Sequence, residues 1–145
     1  MAHKGLVLDV TSRATVVQTY DGEVVHIPNA AVLDGAIVNH TRNGVRRSTV
    51  VVGVAYASDV AAACQVLARA AAAVEGVHAT PAPQALAKDF GSSSVDIDVD
   101  YWHDPPEAVR RELRSVMVHT LHQALRTEGF EIPVPQRDVW MRGEP

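Results

Sequence analysis

Three aspartates at alternate positions, Asp96, Asp98 and Asp100, form a dense row of ionisable side chains in this 145-residue chain. On a strand such residues share one face, with successive members roughly 6–7 Å apart, so the row could collect a cation. A divalent-ion site, however, draws converging oxygen ligands from several segments. A solvated acidic face is the simpler reading. His119 and His122 lie three apart, a spacing that can chelate a metal on a helix. Both fall away from the apolar stripe of their segment, so they too read as solvent-facing. No metal or cofactor is expected.

The remaining reactive side chains carry little more. Cys64 is the single cysteine. It sits in an apolar helical stripe with no adjacent base, which suits a small buried hydrophobe better than a nucleophile. Arg42, Arg46 and Arg47 form the one basic cluster. The chain has a formal charge of −4 and 5% aromatic residues, a poor match to a nucleic-acid surface that needs cations and stacking rings. Arg42-Asn43-Gly44 is the nearest approach to an anion-cradling loop, but it lies on the wrong side of the long strand that follows. No enzyme is expected.

Composition sets the class. Hydrophobic content of 47% and charged content of 21% describe a globular protein. No run reaches the ~18 apolar residues of a membrane span. The alanine-rich stretch from Val60 to Val74 comes nearest, and Gln65 and Arg69 interrupt it. No signal peptide opens the chain.

Two organisations of elements follow one another. Leu6, Leu8 and Val10 alternate along a first strand, and Ala14 to Thr19 forms a second. Asp21-Gly22 is a hairpin signal, Glu23 to Ile27 the return strand, and Pro28-Asn29 its stop. Ala36 to His40 reads as a further short strand after a bend at Gly35. These are the parts of a small, curled β domain, too small to complete a core without partners.

Beyond Asn43-Gly44, Arg46 to Tyr56 is a long strand with Val50, Val52, Val54 and Tyr56 on one face. Ser58 is a plausible N-cap for a helix bearing Val60, Cys64, Leu67, Ala71 and Val74, with Gly76 as its stop. Pro81 and Pro83 lead into a strand near Gln84 to Phe90. In the next strand Val95, Ile97, Val99 and Tyr101 alternate with the aspartates. Asp104 caps a second helix, with Pro105 and Glu107 in its first turn. Val109, Leu113, Val116, Met117, Leu121 and Ala124 form its stripe, Gly129 ends it, and Phe130 to Val134 is a last short strand. The order βαββαβ is that of a ferredoxin-like α/β domain.

Gly5-x-Val7-x-x-Val10-x-x-Arg13-x-Thr15, then Asp21-Gly22, Ile27-Pro28-Asn29 and Ile37-x-Asn39 run in order through the first part. Val52-Gly53-Val54-Ala55-Tyr56 and Glu131-Ile132-Pro133-Val134-Pro135-Gln136 follow in the second. This series resembles the cytoplasmic part of the small-conductance mechanosensitive (MscS) channel family from about Gly5 to Val139. Two departures, Ala30 after Ile-Pro-Asn and Val134 within the last motif, leave the backbone logic intact.

The resemblance implies an α+β protein: a Sm-like β domain over residues 1–43 and a ferredoxin-like vestibule domain with a tail strand over 44–145. It implies a homo-oligomeric, heptameric ring at the cytoplasmic face of the membrane, held there by transmembrane helices that this chain lacks. Ions and small solutes would pass through its portals during osmotic downshock, and Asp96, Asp98, Asp100, Arg46 and Arg47 are candidate vestibule or portal linings. Gly5, Arg13, Asp21, Gly22, Ile27, Pro28, Asn29, Asn39, Gly53, Tyr56, Pro133, Pro135 and Gln136 are its structural motif residues. Arg13 is expected to pair with a carboxylate or backbone carbonyls, in its own subunit or across a subunit boundary. A regulatory, ligand-sensing ferredoxin-like module is the alternative reading.

Overall fold

The computed structural model of the chain describes residues 3–135, 137 and 139. It divides into two compact units, Met1–Asn39 and His40–Pro145. The protein is α+β, with two three-stranded antiparallel sheets.

In the first unit, β1 (Gly5–Val10), β2 (Ala14–Thr19) and β3 (Val24–Pro28) form a meander in the order β1-β2-β3. Gly22 takes φ +89° in the β2–β3 turn, a conformation that disfavours any side chain. Gly5 is needed for space: a Cβ there would stand 2.0 Å from the Gln18 carbonyl oxygen. The Pro28 stop is sharper than expected, because Asn29–Leu33 turns at once into a one-turn helix, α1. Ala36 to Asn39 makes no strand. Its Ile37 and Val38 are exposed, and a β-branched run becomes a strand only where a ladder partner exists.

The second unit places two helices on one face of a sheet ordered β4-β6-β5, with β4 (Arg46–Val54), β5 (Gln84–Phe90) and β6 (Val95–His103). Helix α2 (Val60–Ala72) is capped by Asp59, not Ser58: the Asp59 carboxylate accepts from the Ala62 amide at 3.0 Å, a contact worth ~1 kcal/mol. Helix α3 (Glu107–Thr127) starts after Pro106 with no side-chain cap. Asp104 instead pairs with His78 at 2.9 Å. Leu113, Met117, Leu121 and Leu125 are the buried residues of α3, whereas Val116 points out. Gly129, at φ +77°, ends the helix; its N–H bonds the Arg126 carbonyl and Phe130 N–H bonds the Leu125 carbonyl, the two bonds of a Schellman stop.

Val50, Val54, Ala63, Leu67, Ile97, Val99, Tyr101, Met117, Leu121 and Leu125 meet in one continuous core. Strict alternation along β6 fills it, since every second residue from Val95 to His103 is buried. His103 extends that row. Its Nε2 lies 2.8 Å from the Ser48 hydroxyl and its Nδ1 2.6 Å from the Asp104 carbonyl. The carbonyl can only accept, so Nδ1 carries the proton in that contact. The expected last strand is absent: residues 130–135 form no ladder, because Pro133 and Pro135 supply no backbone donor there.

Candidate functional site

The residues expected to do chemistry do not assemble into a reactive centre. Asp96, Asp98 and Asp100 share the sheet face opposite the helices, each with a local partner. Ser94 Oγ donates to Asp96 at 2.8 Å, and Lys88 reaches Asp98 at 3.3 Å. Thr49 Oγ1 donates to Asp100 at 2.5 Å, and Arg47 stands 3.6 Å from its other oxygen. Lys88 gets there through a bulge in β5, where the register shifts between Ala87 and Asp89. His119 and His122 are exposed on α3. No group of three or more metal-ligating side chains gathers among the described residues.

Arg46 separates from Arg47 to the other face. It bonds Glu107 at 2.9 Å, and Arg110 grips the same carboxylate from one turn further along α3. Hydrogen bonds from Arg110 and then Arg46 outweigh burial and draw the Glu107 carboxyl down to about 2. The cluster therefore closes on itself and ties β4 to the start of α3. Burial pushes the Cys64 thiol up, away from the thiolate that a nucleophile needs. Burial likewise raises the Tyr101 phenol.

Among the motif residues, Asn29 and Tyr56 make local cross-links. Asn29, the first residue of α1, donates through Nδ2 to the Thr11 carbonyl at 2.9 Å and accepts from Thr15 Oγ1 at 2.9 Å. Its own N–H bonds the Arg13 carbonyl at 2.9 Å. Ile27-Pro28-Asn29 thus fastens β3 to the β1–β2 turn. The Arg13 side chain projects from that turn into solvent and makes no ion pair within the subunit among the described residues. Asp21 and Gly22 are exposed in the hairpin turn, and Asn39 is exposed beyond α1. In the second unit, the Tyr56 hydroxyl donates to the Gly91 carbonyl and its ring stacks on Phe90, centroids 6.3 Å apart. Tyr56 lies outside the core, half exposed. Gly53 and Gly91 leave room for Ser94 and Asp96. Gln136 lies outside the described residues.

What the structure does present is an unsatisfied surface. Within the first unit Val17 is the one buried apolar residue among those described. Leu6, Val7, Leu8 and Val10 of β1 are all more than half exposed, on both faces of the strand, and Leu33, Ile37 and Val38 are exposed beyond it. Full burial of such side chains is worth about 1.5–3 kcal/mol each. A hollow lined by Ala30, Ala31, Leu33 and Asp34 opens widely to solvent. This arrangement can associate; it does not enclose a ligand. Composition signalled it, because the first forty residues carry many apolar positions in strands too few to cover one another.

Comparison with known proteins gives these features a context. A family model described as mechanosensitive ion channel, beta-domain matches residues 2–42, and one described as mechanosensitive ion channel MscS, C-terminal matches 48–132. An MscS family protein of Archaeoglobus fulgidus is 33% identical over 140 residues, covering 97% of this chain and 49% of that protein. The small-conductance mechanosensitive channel of Edwardsiella ictaluri is 28% identical over 137 residues, covering 93% and 46%. The closed-state crystal structure of Helicobacter pylori MscS superposes with a TM-score of 0.87 at 24% identity, covering 97% of this chain and 55% of that one. The chain spans about half the length of the curated relatives it matches. No helix among the described residues is long and apolar enough to cross a membrane.

Proposed function

The chain belongs to the mechanosensitive ion channel MscS family, and from that premise we propose that it is the cytoplasmic vestibule region of a channel subunit. Its first unit joins copies of itself into a ring beneath the pore, seven by family resemblance, and its second unit forms the wall of the vestibule. Membrane tension acts on helices outside this chain. The region described here assembles, supports the pore and screens ions and small solutes that leave the cell in osmotic downshock.

One observation carries this reading: β1 exposes Leu6, Val7, Leu8 and Val10 on both of its faces. A strand of that composition in a stable protein is covered by something, and a closed ring of identical units covers every copy alike. Light scattering of the purified chain tests it. A ring-sized species that Leu8→Asp or Val10→Asp reduces to single subunits supports the reading. A wild-type chain that stays monomeric at high concentration, together with a full-length protein whose assembly tolerates both substitutions, overturns it.

The outer sheet face supplies the screening. Asp96, Asp98 and Asp100 face Arg47 and Lys88, which leaves one carboxylate in excess on that row. Such a surface favours cations at low ionic strength. Arg46 contributes less, because Glu107 holds it. Replacing the three aspartates by asparagine is expected to shift the cation preference of the full channel, and an unchanged preference removes this part of the proposal. No enclosed cavity among the described residues favours the ligand-sensing alternative.

A further inference from the structure

Residues 130–135 follow α3 beside the outer edge of β4 yet do not join the sheet. Two bonds mark which backbone groups face that edge. Arg114 of α3 donates to the Thr49 carbonyl at 3.0 Å, and the Ala55 N–H donates to the Glu131 carbonyl at 3.2 Å. Backbone groups of alternate residues point the same way in a strand, so Thr49, Val51, Gly53 and Ala55 address the outer edge. Val51 and Gly53, between the two bonds, have no partner there among the described residues.

The crossover through α3 returns the chain parallel to β6 and so antiparallel to β4. An antiparallel ladder continued from the Ala55–Glu131 bond sets residue 133 opposite Gly53 and residue 135 opposite Val51. Both are proline. Each therefore lacks the N–H that the Gly53 or Val51 carbonyl would accept, and the two prolines recur at the strand period of two. Everything upstream favours a fourth strand: Phe130 packs on the core, the Schellman stop aims the chain, and Glu131 makes the first bond. Ile132 and Val134, which alternate with the prolines, are β-formers.

We propose that Pro133 and Pro135 form a built-in ladder block, which limits residues 131–135 to a single-point tether on β4. The block keeps residues 131–135 from adding a fourth strand along the Val51–Gly53 edge. It goes beyond the assembly reading and stands on the second unit alone.

The test is amide hydrogen exchange in the full chain, wild type against the double variant Pro133→Val, Pro135→Val. In the wild type the Val51 and Gly53 amides exchange at open-edge rates. In the variant, two restored N–H donors bond the Gly53 and Val51 carbonyls, complete the ladder and slow both amides by about tenfold or more. Fast exchange in wild type with slowing confined to the variant supports the block. Slow wild-type exchange at both amides overturns it, whatever the variant does, and equally fast exchange in a folded variant also overturns it. Light scattering on the same samples reads association separately, so failure of the ring leaves this result interpretable.

Discussion

The two units solve the burial problem in opposite ways. The second closes its own core: Val54, Leu67, Ile97, Val99, Tyr101, Met117 and Leu125 are fully inaccessible, packed between one sheet face and two helices. Among the described residues of the first unit, the sheet packs on the single turn of α1, and Val17 alone is buried. One unit carries its stability inside the chain. The other leaves its apolar surface exposed among the described residues, and hydrogen bonds of Asn29 fasten β3 to the β1–β2 turn. In the proposed ring, the second unit would serve as wall and the first as assembly collar, and the two roles ask opposite things of a surface.

The sharpest way to break that contrast is a matched pair of leucine truncations. Leu121→Ala opens a hole in the second unit's core and is expected to cost about 3–4 kcal/mol in denaturant unfolding. Leu8→Ala removes a side chain already half in water, so its cost to the dissociated subunit stays within about 0.5 kcal/mol, while association weakens. Equal losses at both positions in dilute, dissociated protein would mean that the first unit hides a core of its own.

Next in size is the Arg46–Glu107–Arg110 clamp. The carboxyl titrates near 4.5 when free and about 2 when folded. The unfolded chain therefore takes the proton first as pH falls. Stabilisation is complete above about pH 4.5 and drains away toward pH 2. With Glu107 largely shielded but Arg110 partly open to solvent, the clamp contributes on the order of 2 kcal/mol. Glu107→Gln should remove that amount at pH 7 and flatten the second unit's stability between pH 4.5 and 2. An acid profile unchanged by the substitution would dissolve the clamp.

The first unit's counterpart is Asn29→Ala. It deletes the bonds to the Thr11 carbonyl and the Thr15 hydroxyl, at about 1 kcal/mol in a partly exposed setting. Faster amide exchange across Thr11–Thr15, with the second unit unaffected, is the expected signature. Exchange that speeds up in both units alike would show that they do not hold their stability separately.

Why the second unit was so legible, and the first less so, follows from the same contrast. The alternation of β6 and the stripe of α2 are imposed by a core within the chain, so the pattern carries its own explanation. Val116 slipped out and Leu125 in because a stripe read over six turns drifts in phase. The caps were misplaced by a residue or two: Ser58 and Asp59 are both capping types, and only geometry separates them. His103 continues the buried alternation of β6, a polar end to an apolar row that composition alone does not mark as buried. In the first unit, α1 is too short for any periodicity, and Ile37-Val38 has the composition of a strand but no ladder partner among the described residues. The tail strand failed for a reason visible in the sequence, since prolines at 133 and 135 forbid the ladder that Ile132 and Val134 invite. The Asn29 staple had only a weak signal, a side-chain amide placed after proline at a chain reversal.

The smallest effect concerns the acidic face, and its smallness is informative. Asp98→Asn removes an exposed pair with Lys88, both partners open to solvent, and such pairs contribute between nothing and about 0.5 kcal/mol. Thermal unfolding should scarcely move. The surface potential changes by a full charge regardless, because potential depends on charge and not on how well the charge is paired. If the face serves ions, Asp98→Asn alters the salt dependence of cation permeation in the full channel while leaving the wall as stable as before. If it serves the fold, the order reverses, with a lost kcal/mol and permeation untouched. The sheet's core faces the helices, and its chemistry faces away from them, so the two readouts separate there as they cannot in the first unit, where the same leucines and valines would both hold and join.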